Sequence, residues 1–265
     1  MAPRERLARL LALRHAPAEV AAKAAAIHRS MLRRPGGPGP EPFASIGEAD
    51  LRALLGLYDA SFFGGLLAEL LGEDCGGRIT LRTSGRMTRA AGKTLRRTAR
   101  KRAGWRVVTV AEYEIAVSSL LLVQSFDDPD RPVVVTGLVC RDRLEALQRI
   151  FEHELLHLAE FLAEGKSSCA RPQFQGLARA IFGHESVVHD LVTPREVAAR
   201  DHAIRVGDLV GFDHDGVARV GRVNRITKRA TVLVEDPAGR LFSDRKRYAT
   251  YYVPVARLRK AADLT

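Results

Sequence analysis

The segment Asp142 to Ala163 constrains this chain more than any other. Leu147, Phe151, Leu155, Leu158 and Leu162 recur at three- and four-residue spacing and form one apolar stripe along a helix. At about 100° per residue, His153 and His157 fall nearly opposite that stripe. One face must enter a core while the other carries two imidazoles stacked one turn apart. His153-Glu154-Leu155-Leu156-His157 is thus an H-E-x-x-H pattern, suited to hold one metal ion through both histidines. Glu154 is positioned to reach a water at the ion rather than the ion. With 8 His and 16 Glu in 265 residues, only about 0.015 accidental matches are expected.

A catalytic zinc takes three protein ligands and leaves one position open. Cys169 is the leading third candidate, returning a thiolate from a turn after the helix; His184 and His189 are alternatives. Glu160 and Glu164 share the histidine face but lie one and two turns beyond, where they support ligands rather than bind the ion.

Elsewhere the pattern predicts helices over 5–16 and 18–34, followed by the Pro/Gly-rich stretch 35–42, which cannot continue a helix and reads as a linker. A capping-box-like Ser45-Ile-Gly-Glu48 opens a helix towards Phe62. Strands are expected at 79–82, 105–113 and 115–123, and Val133–Thr136 suits a strand or the approach to the long helix. Shorter helices are expected at 173–182 and 185–191. From Val206 short β-rich runs separated by Asp-Gly, Thr-Lys-Arg and Asp-Pro signals suggest a small β-barrel. The expected organisation is α+β: a basic helical extension with its linker (1–42), a central domain (43–200) and a C-terminal barrel (203–260).

Three cysteines without close pairing argue against a disulfide framework and for a reducing compartment, here the cytoplasm. No apolar run is long enough to span a bilayer, and no secretory signal is evident. The formal charge of +11 is uneven. The segment 82–106 holds ten basic residues and no acid, and the remainder of 43–202 is acidic, which predicts an acidic neighbourhood around the His153–His157 helix. Arg86, Arg89, Lys93, Arg96, Arg97, Arg100, Lys101 and Arg102 are candidate phosphate contacts; Trp105 is available for base stacking but suits the core better. In the β-rich module Arg222, Arg225, Lys228 and Arg229 are candidates for the same role.

Four segments in order carry a family resemblance: Leu57-Tyr-Asp-Ala-Ser-Phe-Phe-Gly-Gly-Leu66, Ser84-Gly-Arg-Met-Thr-Arg-Ala-Ala-Gly92, Ile115-Ala-Val-Ser-Ser-Leu-Leu-Leu122 and the H-E-x-x-H itself. In these the chain resembles the SprT-like zinc metalloprotease family over about Leu51 to Leu191. The resemblance implies a zincin-like core, zinc as cofactor, and hydrolysis of protein, including DNA-crosslinked protein, with Glu154 as general base. It departs at the third ligand, where the family has a histidine and this chain has Cys169; Phe174 matches the family's following aromatic. A thiolate places more negative charge on the ion than an imidazole would. Val206-Gly-Asp and Gly221–Val232 resemble SH3-like barrels of the KOW or Tudor type. The alternatives are a zinc-stabilised nucleic-acid-binding adaptor without peptidase activity, and a hydrolase of a non-peptide amide.

Overall fold

The computed structural model describes residues 1–103, 105–128 and 130–261. The chain divides into two units, Met1–Leu191 and Val192–Thr265. It is α+β, with helices and several small sheets.

The first unit is organised by the helix Arg143–Glu164. Counting from the N-terminus, this is α6, after α1 (Pro3–Ala12), α2 (Pro17–Arg33), α3 (Glu48–Tyr58), α4 (Leu66–Cys75) and α5 (Ser119–Gln124). Asp142 caps it by accepting from the Glu145 N–H at 2.8 Å, and Gly165 ends it at φ 73°, a left-handed position that suits glycine. The stripe expected from spacing is buried throughout, from Leu147 to Leu162. Burying one such side chain is worth about 1.5–3 kcal/mol. α7 (Pro172–Phe182) packs on the same helix.

The first 42 residues are not a separate extension. Leu10, Val20, Ile27 and Met31 join the same core, and Gln148 donates to the Ala24 carbonyl at 3.0 Å. The apolar faces of α1 and α2 need cover, and α6 supplies it.

A three-stranded sheet lies beside α6, with β1 (Ile79–Thr83), β2 (Gly92–Ala103) and β3 (Arg106–Val117) in the order β1-β3-β2. β1 runs parallel to β3 and β2 antiparallel to it. The strand expected over 115–123 stops at Val117. Ser118 accepts from the Leu121 N–H at 3.1 Å and starts α5, so a serine cap overrides the apolar run. Trp105, assigned to the core from sequence, is 85% exposed at the end of the β2–β3 hairpin, where neighbouring Arg102 and Val107 are exposed too. The side chains of Lys101 and Arg106 lie outside the described residues.

A short hairpin pairs β4 (Val133–Val135) with β5 (Leu138–Cys140) through Thr136 (φ 55°) and Gly137 (φ 86°), the two positive angles that a tight two-residue hairpin turn requires. The segment 185–191, expected as helix, is extended instead. The Thr136 N–H donates to Val188 O and the Asp190 N–H to Val134 O, each at 2.8 Å, so the hairpin edge recruits it as strand-like backbone.

The second unit begins with α8 (Pro194–His202), whose Ala198 packs with Ile204, Val210 and Val232. The boundary therefore falls after Leu191 rather than near residue 200. β6 (Leu209–His214), β7 (Val217–Ile226), β8 (Ala230–Leu241), β9 (Arg247–Val253) and β10 (Arg259–Lys260) form an antiparallel sheet in the order β10-β6-β7-β8-β9. Among the described residues no strand pairing joins β9 to β10, so where a small barrel was expected the strands form a five-stranded sheet that is not closed. β10 spans two residues, paired only to β6. Among the described residues no single helix is long and apolar enough to cross a membrane.

Candidate metal centre

The site is built on the face of α6 opposite its apolar stripe. The Nε2 atoms of His153 and His157 lie 3.2 Å apart. Two nitrogens at about 2.0–2.1 Å from one tetrahedral ion are separated by about 3.3 Å, so the observed spacing fits a shared ion. Cys169 follows the helix on a turn, and ligand atoms of His153, His157 and Cys169 lie within 4.8 Å of one another. This group could hold a metal ion. Phe174, fully buried at the start of α7, packs against both imidazoles with centroid distances of 5.0 and 4.5 Å. Burial, with the neighbouring histidines, holds His153 down at about 3. Burial holds His157 at about 4. Both rings are therefore neutral near pH 7, with lone pairs available to a cation.

The tautomer of His157 is set by a relay. Ser167 donates its hydroxyl hydrogen to Glu160 Oε2 at 2.6 Å, which leaves Ser167 Oγ to accept from His157 Nδ1 at 2.7 Å. The proton then resides on Nδ1 and the Nε2 lone pair faces the ligand group. Gln173 donates to Glu160 Oε1 at 3.0 Å and also to Glu164. Glu160 and Glu164 thus support the site, as their spacing suggested, whereas Ser167 and Gln173 carried no sequence signal beyond proximity to Cys169.

Glu154 is 4% exposed, and burial pushes its carboxyl up to about 7 against the opposing hydrogen bond from Thr94. Thr94 Oγ1 is 2.6 Å from Glu154 Oε2 and 3.0 Å from the Glu154 carbonyl. At Gly92 the backbone of β2 runs so close that an added Cβ would lie 2.4 Å from Glu154 Oε1. Only glycine allows that approach. Thr94 was not singled out by sequence; Gly92 belonged to a recognised segment but had no stated role.

Neither alternative ligand joins the His153–His157–Cys169 group, although His189 lines the same cavity as His153. His184 Nε2 contacts Glu152 Oε2 at 2.8 Å in the sealed interior, where both side chains have no exposure. Arg149 and the Tyr58 hydroxyl complete that cluster, each reaching Glu152 within 2.9 Å. Burial works against the Glu152 charge, but Arg149, then His184 and Tyr58, hold its carboxyl below the usual range. His189 Nε2 donates to the Arg89 carbonyl at 3.1 Å and its Nδ1 accepts from the Leu191 N–H at 3.3 Å. Of the acids on this helix, Glu152, Glu154 and Glu160 are buried.

The basic residues divide by strand alternation. Arg96, Arg100 and Arg102 share the face of β2 that carries Gly92 and Thr94, and the Arg96 guanidinium lies beside Gly165 at the end of α6. Lys93 and Arg97 take the opposite face. Arg97 and Arg82 both pair with Glu114, at 3.3 and 2.7 Å. Arg86 and Arg89 lie between β1 and β2. In the second unit Arg222 and Arg225 are on β7, with Lys228 and Arg229 in the turn to β8; Arg222 donates to the Gly207 carbonyl at 2.7 Å.

No protein-family model, curated protein or solved structure matches the chain.

Proposed function

We propose that this chain is a zinc-dependent endopeptidase of SprT-like type that acts on protein at or near nucleic acid. The observation that carries the reading is the pairing of two imidazole nitrogens 3.2 Å apart with a buried carboxyl raised to about 7 on the intervening residue. Zinc held by His153, His157 and Cys169 would supply Lewis acidity to a water and to a substrate carbonyl. The chain supplies the proton traffic. A carboxyl poised near neutral pH takes a proton from water and returns it to the leaving amine, and Thr94 orients it for both transfers.

The four segments of the family resemblance support the same reading, since three of them contribute residues to the core cluster that α6, which carries the fourth, also joins. The sheet order β10-β6-β7-β8-β9, with a 3-10 turn at Val255–Arg257 before the last strand, supports an SH3-like second unit. Arg96, Arg100 and Arg102 on the Thr94 face suit phosphates, and the exposed Trp105 at the hairpin end suits an unstacked base. The half-exposed Cys169 gives an adaptor reading its one specific support, because a thiolate ligand weakens the Lewis acidity that hydrolysis needs.

The purified chain should carry about one zinc, which His153→Ala loses. Glu154→Gln should keep the zinc while cleavage of a DNA-bound protein falls about 10²–10⁴-fold. Undiminished cleavage would remove the peptidase reading, and DNA binding with zinc present but no cleavage of any protein would establish the adaptor.

A further inference from the structure

A cavity of about 160 Å³ opens directly beside His153 and Glu154. Its floor is Ile150, one turn before His153 on α6, and its walls include Ala91, Val135, Val187 and Val188. Of the polar groups that also line it, His153 turns its Nε2 to His157 in the metal-ligand group, and the other side chains are engaged. Thr136 donates its hydroxyl to the Val135 carbonyl at 2.7 Å, both ring nitrogens of His189 are engaged by backbone, and Glu154 is held by Thr94. An occupant therefore meets alkyl surface and no free charge besides the Glu154 carboxyl at the rim. The far wall is preformed: the backbone of Thr136 is bonded to Val188, Glu185 and Ser186, and Gly137 packs so tightly that an added Cβ would lie 2.7 Å from Glu185 Cβ.

We propose that this cavity is the side-chain pocket that selects an aliphatic residue, of leucine size, immediately flanking the bond to be cleaved. The proposal rests on the peptidase reading above. A cavity of about 150 Å³ lined by Leu, Ile and Phe accepts a benzene-sized apolar ligand, so this one takes a branched four-carbon side chain. Its volume suits an isobutyl group better than an indole, and among its lining residues there is no Lys or Arg to pair with a carboxylate. The adjacency to Glu154 is what makes it a specificity element, because a side chain seated there fixes which backbone carbonyl lies against the catalytic carboxyl.

The test uses the zinc-loaded chain and peptides that differ only at the residues flanking one bond, with the cleaved bond mapped by mass spectrometry. Leucine at one flanking position should exceed alanine, aspartate and tryptophan there by about 10–200-fold in kcat/KM. Ala90→Phe, at an exposed lining residue, should obstruct the mouth and abolish that preference; Val187→Phe should do so from the half-buried wall. A second readout is independent of turnover: in Glu154→Gln protein, acetyl-leucinamide should shift the NMR methyl signals of Ile150 and Val187, while acetyl-aspartamide should not. Cleavage with no preference at either flanking position, or equal shifts from both amides, would overturn the pocket and leave the peptidase standing. If zinc-loaded protein cleaves no peptide, the peptidase reading falls, and with it the pocket's role in selecting a cleavage site.

Discussion

Glu152 and Glu154 stand two residues apart on α6 and are 0% and 4% exposed, yet their carboxyls are driven in opposite directions. Glu152 is surrounded by Arg149, His184 and Tyr58 and stays ionised below the usual range. Glu154 meets a threonine hydroxyl and the backbone of β2, and burial raises it to about 7. Burial alone sets neither outcome. What differs is whether the surrounding elements bring a cation to the carboxylate. One helix therefore carries a locked ionic cluster on one side and, on the other, a carboxyl held by a threonine hydroxyl beside two neutral imidazoles.

The comparison breaks most visibly on the locked side. Glu152→Ala should destabilise the chain by about 3–5 kcal/mol, because the largely covered Arg149 and the sealed His184 and Tyr58 lose their common partner. Urea denaturation measures this, and a loss below about 1 kcal/mol would mean the cluster contributes little to the fold.

On the open side, Ser167→Ala cuts the relay from Glu160 to His157 Nδ1. Zinc affinity should fall about 10–100-fold in a chelator competition, with the stability of the metal-free protein nearly unchanged. A matching loss of stability would assign Ser167 to the core rather than to the site.

The smallest effect sharpens the contrast between the two carboxyls. In the metal-free protein Glu154 has its folded pKa above its ordinary 4.5, so its contribution is full below that pH and is lost as pH rises through about 7. His153 and His157 act the other way: their folded values of about 3 and 4 lie below the ordinary 6.5, so their contribution is present above pH 6.5 and is lost as pH falls. Between pH 5 and 6.5 the two trends oppose each other. Glu154→Gln removes the first, and stability should then rise with pH more steeply, by up to about 1.4 kcal/mol per pH unit. An unchanged slope would show that Glu154 is ionised in the fold throughout this range.

Much of α6 was legible in advance. A 3.6-residue period reports which face is buried, and the four-residue spacing of His153 and His157 reports a shared ligand point. Cys169 was also placed near the site by its distance along the chain. The failures have a common cause in local signals overruled by neighbours or by caps. Ser118 ended a strand that hydrophobicity alone would have extended to Val123. The 185–191 segment has helix-compatible residues, but the β4–β5 hairpin offered it backbone partners. Trp105 is apolar enough for a core, yet it sits exposed at the end of a hairpin.

The order of residues was sufficient to specify the amphipathic helix, its paired imidazoles and the charge run at 82–106, because these depend on periodicity and composition along one segment. It could not specify that Thr94 and Gly92 would meet Glu154, that Ser167 would orient His157, or that His184 would be sealed against Glu152. Those contacts join residues 10 to 62 positions apart, and they exist only because packing around α6 brings β2, the turn before α7 and the 184–189 segment to the same helix. Tertiary packing, by fixing each carboxyl's neighbours, decided which of two nearly adjacent glutamates is locked in an ionic cluster and which is left without a cation.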